Sequence, residues 1–267
     1  DKDGKELVSP LEYETIGLLG TNCGLTDPDD VARLNMTAND LGIDTIELGA
    51  TLALLMENGE AEFGDVAFMD AAIEDIRTGT ARGRLLSGGA ARVGAHFDMK
   101  RVPVIKRQAI SAYDPRVIEV TGISMMSTAQ GADHTTGNLP THECAGKGTE
   151  ELVGESMTVQ MLCAAADSVG LCLFGRSVTN INHDLVVGAI NDAIGETLPI
   201  TFLKQIGIET LAYEDAFNEA AGFGIEDDEL PAFFYDEALA PSAKRARHHA
   251  VEVRKHRTAW MASASAE

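Results

Sequence analysis

Amphipathic helices that end at glycine are the feature that most restricts how this 267-residue chain can fold. In Thr26–Gly42, Asp27 can cap a helix that starts at Pro28, apolar residues recur at helical spacing, and Gly42 ends the helix. No sustained alternation of polar and apolar residues predicts a sheet of any size. The fold class is therefore predicted to be mainly α, with further helices over Asp44–Asn58, Phe68–Gly79, Glu150–Val169, Asn182–Gly195, Leu198–Gly222 and Asp227–Leu239.

One extended segment divides these helices into two groups. Val102–Ile105 reads as extended, and a turn signal follows at Asp114-Pro115. We therefore predict two helical domains, residues 1–108 and residues 109–267. The glycines of Arg82–Phe97 match neither G-x-x-x-x-G-K nor G-x-G-x-x-G, so this segment is predicted to form short, closely packed helices and not a phosphate loop.

Charge and cysteine content restrict the partners. A net charge of -21 argues against nucleic acid and against anionic membrane surfaces, and no apolar run approaches the roughly 20 residues that span a bilayer. The four cysteines form no C-x-x-C pair, which favours reduced thiols in a cytoplasmic protein. Many acids with few lysines are equally compatible with a salt-adapted surface, in which case the protein would melt at a higher temperature in high salt.

The basic stretch Lys244–Arg257 is either a solvated terminal helix or a docking tail for an acidic neighbour, such as another copy of this chain.

A short phrase occurs twice, as NDLGID in Asn39–Asp44 and as DSVGLC in Asp167–Cys172. Glycine at the end of a helix permits a left-handed turn and exposes backbone N–H groups beyond the helix. Together with the acid, such a turn can bind a polar, nitrogen-rich ring, and two copies would suit a ligand with two similar halves. Any helix that ends in glycine followed by leucine has the same form, so a purely structural role stays open.

Two polar segments are further candidates for a site. Ser9–Gly17 places Glu14 beside an aromatic residue, although an exposed, charged entry segment would look the same. Ser127–Asn138 is small and polar with a single histidine, His134, which is unusual for a core segment and equally compatible with the lining of a site.

Several phrases, in order, resemble domains 2 and 3 of the tungsten-containing aldehyde:ferredoxin oxidoreductase family. They extend from about Ser9 to Phe234 and read SPLEYETIGLLGTNCGLTD, ANDLGIDTIELG, AYDPR, STAQGADH, DSVGLCLFG and FNEAAGF followed by DDELPAFF. The resemblance implies two helical domains of that C-terminal type, without the sheet-rich first domain of the family.

The resemblance also implies the cofactors. Each hexapeptide would hold one pyranopterin of a tungsten bis-pyranopterin, so that the repeated phrase follows the pseudo-symmetry of the cofactor. Cys172 is implied as the fourth thiolate ligand of a 4Fe–4S cluster. The residues implied for the pterin sites are Asn39, Gly42, Ile43 and Asp44 for the first, and Asp167, Gly170 and Leu171, with Cys172 beside them, for the second.

The family's chemistry suggests roles for two further residues. His134 would polarise the carbonyl oxygen of a small aldehyde, and Glu14 would take a proton from water or from the hydrated aldehyde. Electrons would then leave through the cluster to ferredoxin. The implied activity is that of an aldehyde oxidoreductase enzyme.

Two departures from the family pattern affect these expectations. Asn39 stands where the motif has an acid, and the run of three cluster cysteines is not found in this sequence. We therefore expect a partner chain or domain to supply the sheet-rich first domain and three cysteines, and a homo-oligomer is also possible. Alternatives are the tungsten subunit of an aromatic acyl-CoA reductase and a cofactor-free helical scaffold subunit; a scaffold would need none of Glu14, His134 and Cys172.

Overall fold

The computed structural model describes residues 3–6 and 11–266. Within this part, helices provide nearly all of the regular structure, and the only strands form one two-stranded hairpin. The prediction of a mainly α fold is confirmed. The chain forms two compact units, Asp1–Ala112 with Pro231–Glu237 and Tyr113–Leu230 with Ala238–Glu267. This division comes shortly after residue 108, and no sequence pattern indicated that Pro231–Glu237 would belong to the first unit.

The first unit is built from short helices around an aliphatic core. Its largest fully buried side chains include Leu19, Leu34, Leu52, Leu55 and Met69. Its elements are a π-helix at Thr15–Gly20, α1 at Pro28–Leu41, α2 at Thr45–Glu57, α3 at Val66–Thr78, α4 at Ala81–Leu86, α5 at Gly89–His96, β1 at Val104–Ile105 and β2 at Gln108–Ala109. The short helices predicted within Arg82–Phe97 are therefore confirmed.

Capping residues set the helix ends of the first unit. The Asp27 carboxylate accepts a hydrogen bond from Asp29 N at 2.9 Å, Pro28 is the first helical residue, and Gly42 ends α1 with φ 68°. These caps agree with the sequence prediction. In the hairpin, β1 and β2 are antiparallel and pair Val104 with Ala109, which confirms the extended signal.

The second unit is organised around one long helix. Its helices are α6 at Glu119–Ser127, α7 at Thr149–Ser168, α8 at Arg176–Thr179, α9 at His183–Ile194, α10 at Phe202–Ala221 and α12 at Ala250–Ala264, with α11 at Phe233–Asp236 in the first unit. Helix α7 packs against α6, α10 and α12. At the α7–α10 contact, a Cβ on Gly207 would lie 2.3 Å from Met161 O, so only glycine permits this approach.

Two helix predictions were wrong or incomplete. Asp227–Leu239 is not one helix: it contains only the end of the 3₁₀ turn Ile225–Asp227 and the four-residue α11. Pro231 lies between them, and proline removes a donor and disfavours helical backbone in the preceding residue. Helix α6 was not predicted because all of its residues after Glu119 are buried, so its sequence shows no polar face.

The basic stretch Lys244–Arg257 uses three of its arginines within the second unit. Arg247 forms two hydrogen bonds with the Glu119 carboxylate, at 2.6 and 2.7 Å. Arg254 pairs with Asp228, and Arg257 pairs with Asp215. Most of the stretch is nevertheless exposed, so it is a largely solvated terminal segment that three ion pairs fix to its own unit.

Among the described residues, no single helix is both long and apolar enough to cross a bilayer. Helix α7 and the following Leu173–Thr179 reach that length and composition only as a pair, which is bent by 119°.

Candidate functional site

The two repeated phrases fold into the same backbone turn. In the first, Gly42 has φ 68°, its N–H donates to Asn39 O at 3.1 Å, and Ile43 N donates to Ala38 O at 2.9 Å. In the second, Gly170 has φ 73°, its N–H donates to Asp167 O at 3.0 Å, and Leu171 N donates to Ala166 O at 2.8 Å. This pair of hydrogen bonds is the Schellman motif that ends a helix at a left-handed glycine.

The likeness extends to the last residue of each phrase. Asp44 has φ -65° and ψ 130°, and Cys172 has φ -71° and ψ 132°. In both phrases the first, fourth and sixth residues are exposed, and the aliphatic fifth residue is partly buried. A Cβ placed on Gly42 or Gly170 would have no atom within 4 Å, so open space adjoins both turns.

In the first unit, Glu14 is buried and fixed to a neighbouring segment. It directly precedes the π-helix, and its Oε2 accepts a hydrogen bond from Ala112 N at 2.8 Å. The adjacent Tyr13 hydroxyl donates to Ala112 O at 3.0 Å. The consecutive side chains of Tyr13 and Glu14 therefore bind the backbone C=O and N–H of Ala112. These two hydrogen bonds fix the position of the Glu14 carboxylate.

A hydrogen bond joins the Glu14 segment to the first turn. Thr15 Oγ1 and Thr45 Oγ1 lie 2.9 Å apart, and these threonines directly follow Glu14 and Asp44. The Asp44 side chain caps α2 by accepting from Glu47 N at 2.7 Å. The first unit thus places one candidate acid–base residue beside one turn.

In the second unit, His134 lies on a loop that buried hydrogen bonds hold in place. The Asp133 side chain is buried, and its Oδ2 atom accepts two hydrogen bonds. One comes from Thr135 Oγ1 at 2.8 Å and the other from Thr136 N at 3.0 Å. The His134 ring stacks on Tyr113, with ring centroids 5.7 Å apart. The residues on either side of His134, Asp133 and Thr135, therefore hold the loop in shape. The His134 side chain is half-buried within this loop.

The His134 loop lies close to the second turn. Burial raises the pKa of Asp167, and the neighbouring negative charge of Asp133 raises it further. Thr136 and Asp167 also line one cavity. Each unit therefore brings one turn together with one candidate acid–base residue, namely Glu14 in the first and His134 in the second.

The four cysteines differ in their availability as ligands. Cys23, Cys144 and Cys163 are buried, whereas Cys172 is exposed, and all four are free thiols. Burial raises the pKa of Cys23 to about 12 and the pKa of Cys163 to about 11, which disfavours the thiolate that binds metal. Within the part of the chain that is described, no group of three or more His, Cys, Asp or Glu side chains could hold a metal ion.

These residues fit the cofactors that the resemblance implies. An exposed amide or carboxylate, an open left-handed glycine and a fixed backbone turn suit the hydrogen-bond donors and the flat face of a pterin. Cys172 can offer one thiolate to an iron–sulfur cluster, which normally takes four. Groups that could form hydrogen bonds with two pterins are therefore present, and Cys172 is one thiol that could ligate a cluster.

The structure adds site residues that the sequence did not indicate. Tyr113 supports the His134 ring, and Gln160 lies fully buried within α7, with its Cγ 2.8 Å from the position of a Cβ on Gly137 of the same polar segment. Tyr113 is part of the AYDPR phrase, and a glutamine among the apolar residues of α7 was the available signal for Gln160.

Comparison with known proteins gives one family for almost the whole chain. Residues 1–261 match the family model described as aldehyde ferredoxin oxidoreductase, domains 2 and 3. The chain is 28% identical to a tungsten-containing aldehyde ferredoxin oxidoreductase of Pyrococcus horikoshii, over 85% of this chain and 42% of that protein. It is 27% identical to the protein of that name from Pyrococcus furiosus, over 85% and 41%.

A further relative has a different name. It is the aliphatic sulfonate oxidoreductase, WOR-like subunit, of Pyrococcus furiosus, which is 24% identical over 84% of this chain and 38% of that protein. The chain thus spans about two fifths of the length of these relatives. Its full-length match to the family model identifies it as a member of the aldehyde ferredoxin oxidoreductase family, of which it carries domains 2 and 3.

Proposed function

We propose that this chain forms the cofactor-binding helical part of a tungsten enzyme that oxidises aldehydes to carboxylic acids and passes the electrons to ferredoxin. The observation that carries the proposal is the repeated turn: two turns of one backbone conformation, one in each unit and each beside one candidate acid–base residue. A cofactor with two similar halves would need such a pair.

Asn39, Gly42, Ile43 and Asp44 would hold one pterin, Asp167, Gly170 and Leu171 would hold the other, and Cys172 would ligate a 4Fe–4S cluster. When bound, these groups supply the two-electron oxidation and the one-electron transfers that follow it. Asn39 offers an uncharged amide where Asp167 offers a carboxylate, so the first pterin would be held without a local negative charge from this position.

Glu14 and His134 would handle protons. The hydrogen bond from Ala112 N fixes the Glu14 carboxylate, which can then accept a proton from water or from a hydrated aldehyde. His134, stacked on Tyr113, would donate an N–H to the aldehyde oxygen. Oxidation of an aldehyde with water yields the acid, two protons and two electrons, so a proton acceptor is required on chemical grounds.

Aldehydes are the proposed substrates because the relatives at 27% and 28% identity are named for them. The name of the 24% relative shows that another substrate class occurs among proteins of this similarity. Four free thiols among the described residues suit a cytoplasmic compartment, where thiols stay reduced.

A partner chain or domain would complete the enzyme. Directly after Cys172, four large apolar side chains at near-helical spacing are exposed: Phe174 (85%), Val178 (55%), Ile181 (78%) and Leu185 (65%). Several large apolar side chains exposed within one short segment are typical of an interface. The partner would contribute the remaining cluster cysteines and cover this surface, and it should copurify with the chain.

The metal content of the protein as isolated, together with whatever copurifies, tests the proposal. We expect tungsten and iron in fixed ratio to the chain. Protein that oxidises aldehydes without tungsten or molybdenum, or that never acquires either metal, would contradict the proposal.

Glu14→Gln tests the acid–base assignment. We expect turnover to fall by roughly 10²–10⁴-fold, the usual contribution of a general base, with tungsten content unchanged. Glu12→Gln is the matched control, because Glu12 is exposed and lies two residues earlier. If Glu14→Gln loses tungsten together with activity, then Glu14 serves cofactor binding and not proton transfer.

A further inference from the structure

The second unit contains a small polar cavity next to the second turn. Its volume is about 60 Å³, which gives room for an ion and a few water molecules. Its wall is formed by residues of three elements and includes Thr136, Gln160, Asp167, Ser168 and Glu214. No Lys, Arg or His belongs to this wall.

The hydrogen-bond network fixes which end of the Gln160 amide is the acceptor. Ser127 Oγ donates to Ile123 O at 2.8 Å, so it can only accept from Gln160 Nε2, also at 2.8 Å. Ser124 Oγ gives its proton to a backbone carbonyl, so Ser156 donates to Ser124 and likewise accepts from Gln160 Nε2. The opposite amide orientation would leave both serines without a usable proton.

The remaining acceptor of Gln160 is buried and has no hydrogen-bond partner. Gln160 is 1% exposed, and its Oε1 accepts no hydrogen bond within the described structure. Thr136 Oγ1 is also a buried atom without a hydrogen bond there. A buried acceptor left in this state is unfavourable, which indicates that something else satisfies it.

The other hydroxyl groups of the wall have already donated their protons. Thr128 Oγ1 donates to Gly131 O at 2.9 Å, and Ser168 Oγ donates to Ala164 O at 2.6 Å. Thr210 Oγ1 therefore donates to Ser168 Oγ at 3.0 Å. These hydroxyl groups have no proton left to donate, so only the lone pairs of their oxygens are available to further partners.

Two carboxyl groups add negative charge to these acceptors. Burial raises the pKa of Glu214, with further contributions from the charges of Asp215 and Asp167, so an uncompensated pair of carboxylates is unfavourable here. Arg257 pairs with Asp215 and partly offsets this charge. Oxygen donors with net negative charge are what hard cations prefer.

We propose that this cavity binds a single hard cation through oxygen atoms of Gln160, Thr136 and Glu214, with Asp167 adding negative charge to its wall. The ion would satisfy the Gln160 acceptor and neutralise the two carboxylates. It would also tie α10 to α7 and to the His134 loop, directly behind the second turn. This site requires no pterin, so it goes beyond the proposed function and stands or falls independently of it.

The experiment measures the melting temperature of the full chain at constant ionic strength. Choline chloride is exchanged for NaCl or KCl in two arms, and CaCl₂ or MgCl₂ is added to EDTA-treated protein in two others. We expect at least one of the four cations to raise the melting temperature saturably, with one site per chain by calorimetric titration. A melting temperature that none of the four cations raises at constant ionic strength would overturn the proposal and leave the cavity to water.

Glu214→Gln and Glu209→Gln locate the site. Both residues are on α10 and both changes remove one negative charge, but Glu209 is exposed and does not line the cavity. We expect Glu214→Gln to weaken the apparent affinity at least tenfold and Glu209→Gln to leave it within twofold. Equal affinities in the two variants would overturn the proposal.

Thr136→Val provides a test without a change of charge. Removal of this hydroxyl should weaken the cation affinity by at least threefold while the chain still melts cooperatively. If Glu214→Gln fails to fold, this variant decides: an affinity equal to that of the unmodified chain would count against the site.

Discussion

The two turns share one backbone conformation but differ in what their last side chain does. Asp44 caps α2, a helix of 13 residues that packs into the core of its unit. Cys172 makes no side-chain cap, precedes a 3₁₀ turn of three residues, and stays exposed. The turn is therefore a local structure that can either start a stable helix or present a reactive side chain, and the following segment determines which.

Replacement of the last residue of each turn by alanine should give the largest contrast in iron content and stability. Cys172→Ala should remove the copurifying iron, because a cluster rarely persists without one of its four thiolates. Its free energy of unfolding should change by less than about 0.5 kcal/mol, since Cys172 is exposed and caps nothing. Asp44→Ala should do the reverse, with iron retained and a loss of about 1 kcal/mol from the missing cap. Retention of iron in Cys172→Ala would remove the proposed difference between the turns.

The next largest effect is expected on stability, at the glycines that let the supporting helices approach each other. A Cβ on Gly49 would lie 2.4 Å from Leu18 O, and one on Gly207 would lie 2.3 Å from Met161 O. Gly49→Ala and Gly207→Ala should each destabilise the chain by about 3 kcal/mol in denaturant titrations, the upper range for overpacking.

Gly154→Ala is the control for these two changes. Gly154 lies within α7, and a Cβ there would have no atom within 4 Å. This variant should be more stable by about 0.5–1 kcal/mol, because alanine favours the helix over glycine. Tolerance of Gly207→Ala but not of Gly49→Ala would mean that the second turn has the weaker support.

The turns themselves should respond equally to loss of glycine. Gly42→Ala and Gly170→Ala meet no neighbouring atom, so only the left-handed backbone opposes alanine. Each change should lower the free energy of unfolding by about 1 kcal/mol. Two values that differ by more than about 1 kcal/mol would show that the turns are not equivalent, despite their matching dihedral angles.

The smallest expected difference is in pH dependence. The pKa of Asp167 is raised by burial and by Asp133, whereas Asn39 at the equivalent position does not titrate. The folded state then holds the Asp167 proton more tightly than the unfolded state, so this carboxyl favours folding more as pH falls through its raised pKa. Asp167→Asn should melt higher than the unmodified chain at neutral pH by roughly 1 °C, and the difference should shrink on acidification and vanish below about pH 3. A difference that grows on acidification would contradict the direction of the shift.

Part of the site could be predicted because its geometry is local. Each turn is closed by hydrogen bonds that span three to five residues, and glycine supplies the left-handed conformation, so the phrases alone indicate the backbone. The residues alone made the segments around Glu14 and His134 candidates for a site, but the roles of Glu14, His134 and Cys172 came only from the resemblance of the surrounding phrases. Their burial, stacking and exposure depend on Ala112, Tyr113 and the segment after Cys172.

The sequence by itself determined the helical class, the cap at Asp27, and the two glycine turns, because each rests on contacts between near neighbours in the chain. The tertiary structure decided the rest. Helix α6 became buried, Arg247, Arg254 and Arg257 found carboxylates from 26 to 128 residues away, and Gln160 bound Ser127 on another helix. Such contacts depend on which surfaces meet after the chain has folded, and no pattern within a single helix specifies that.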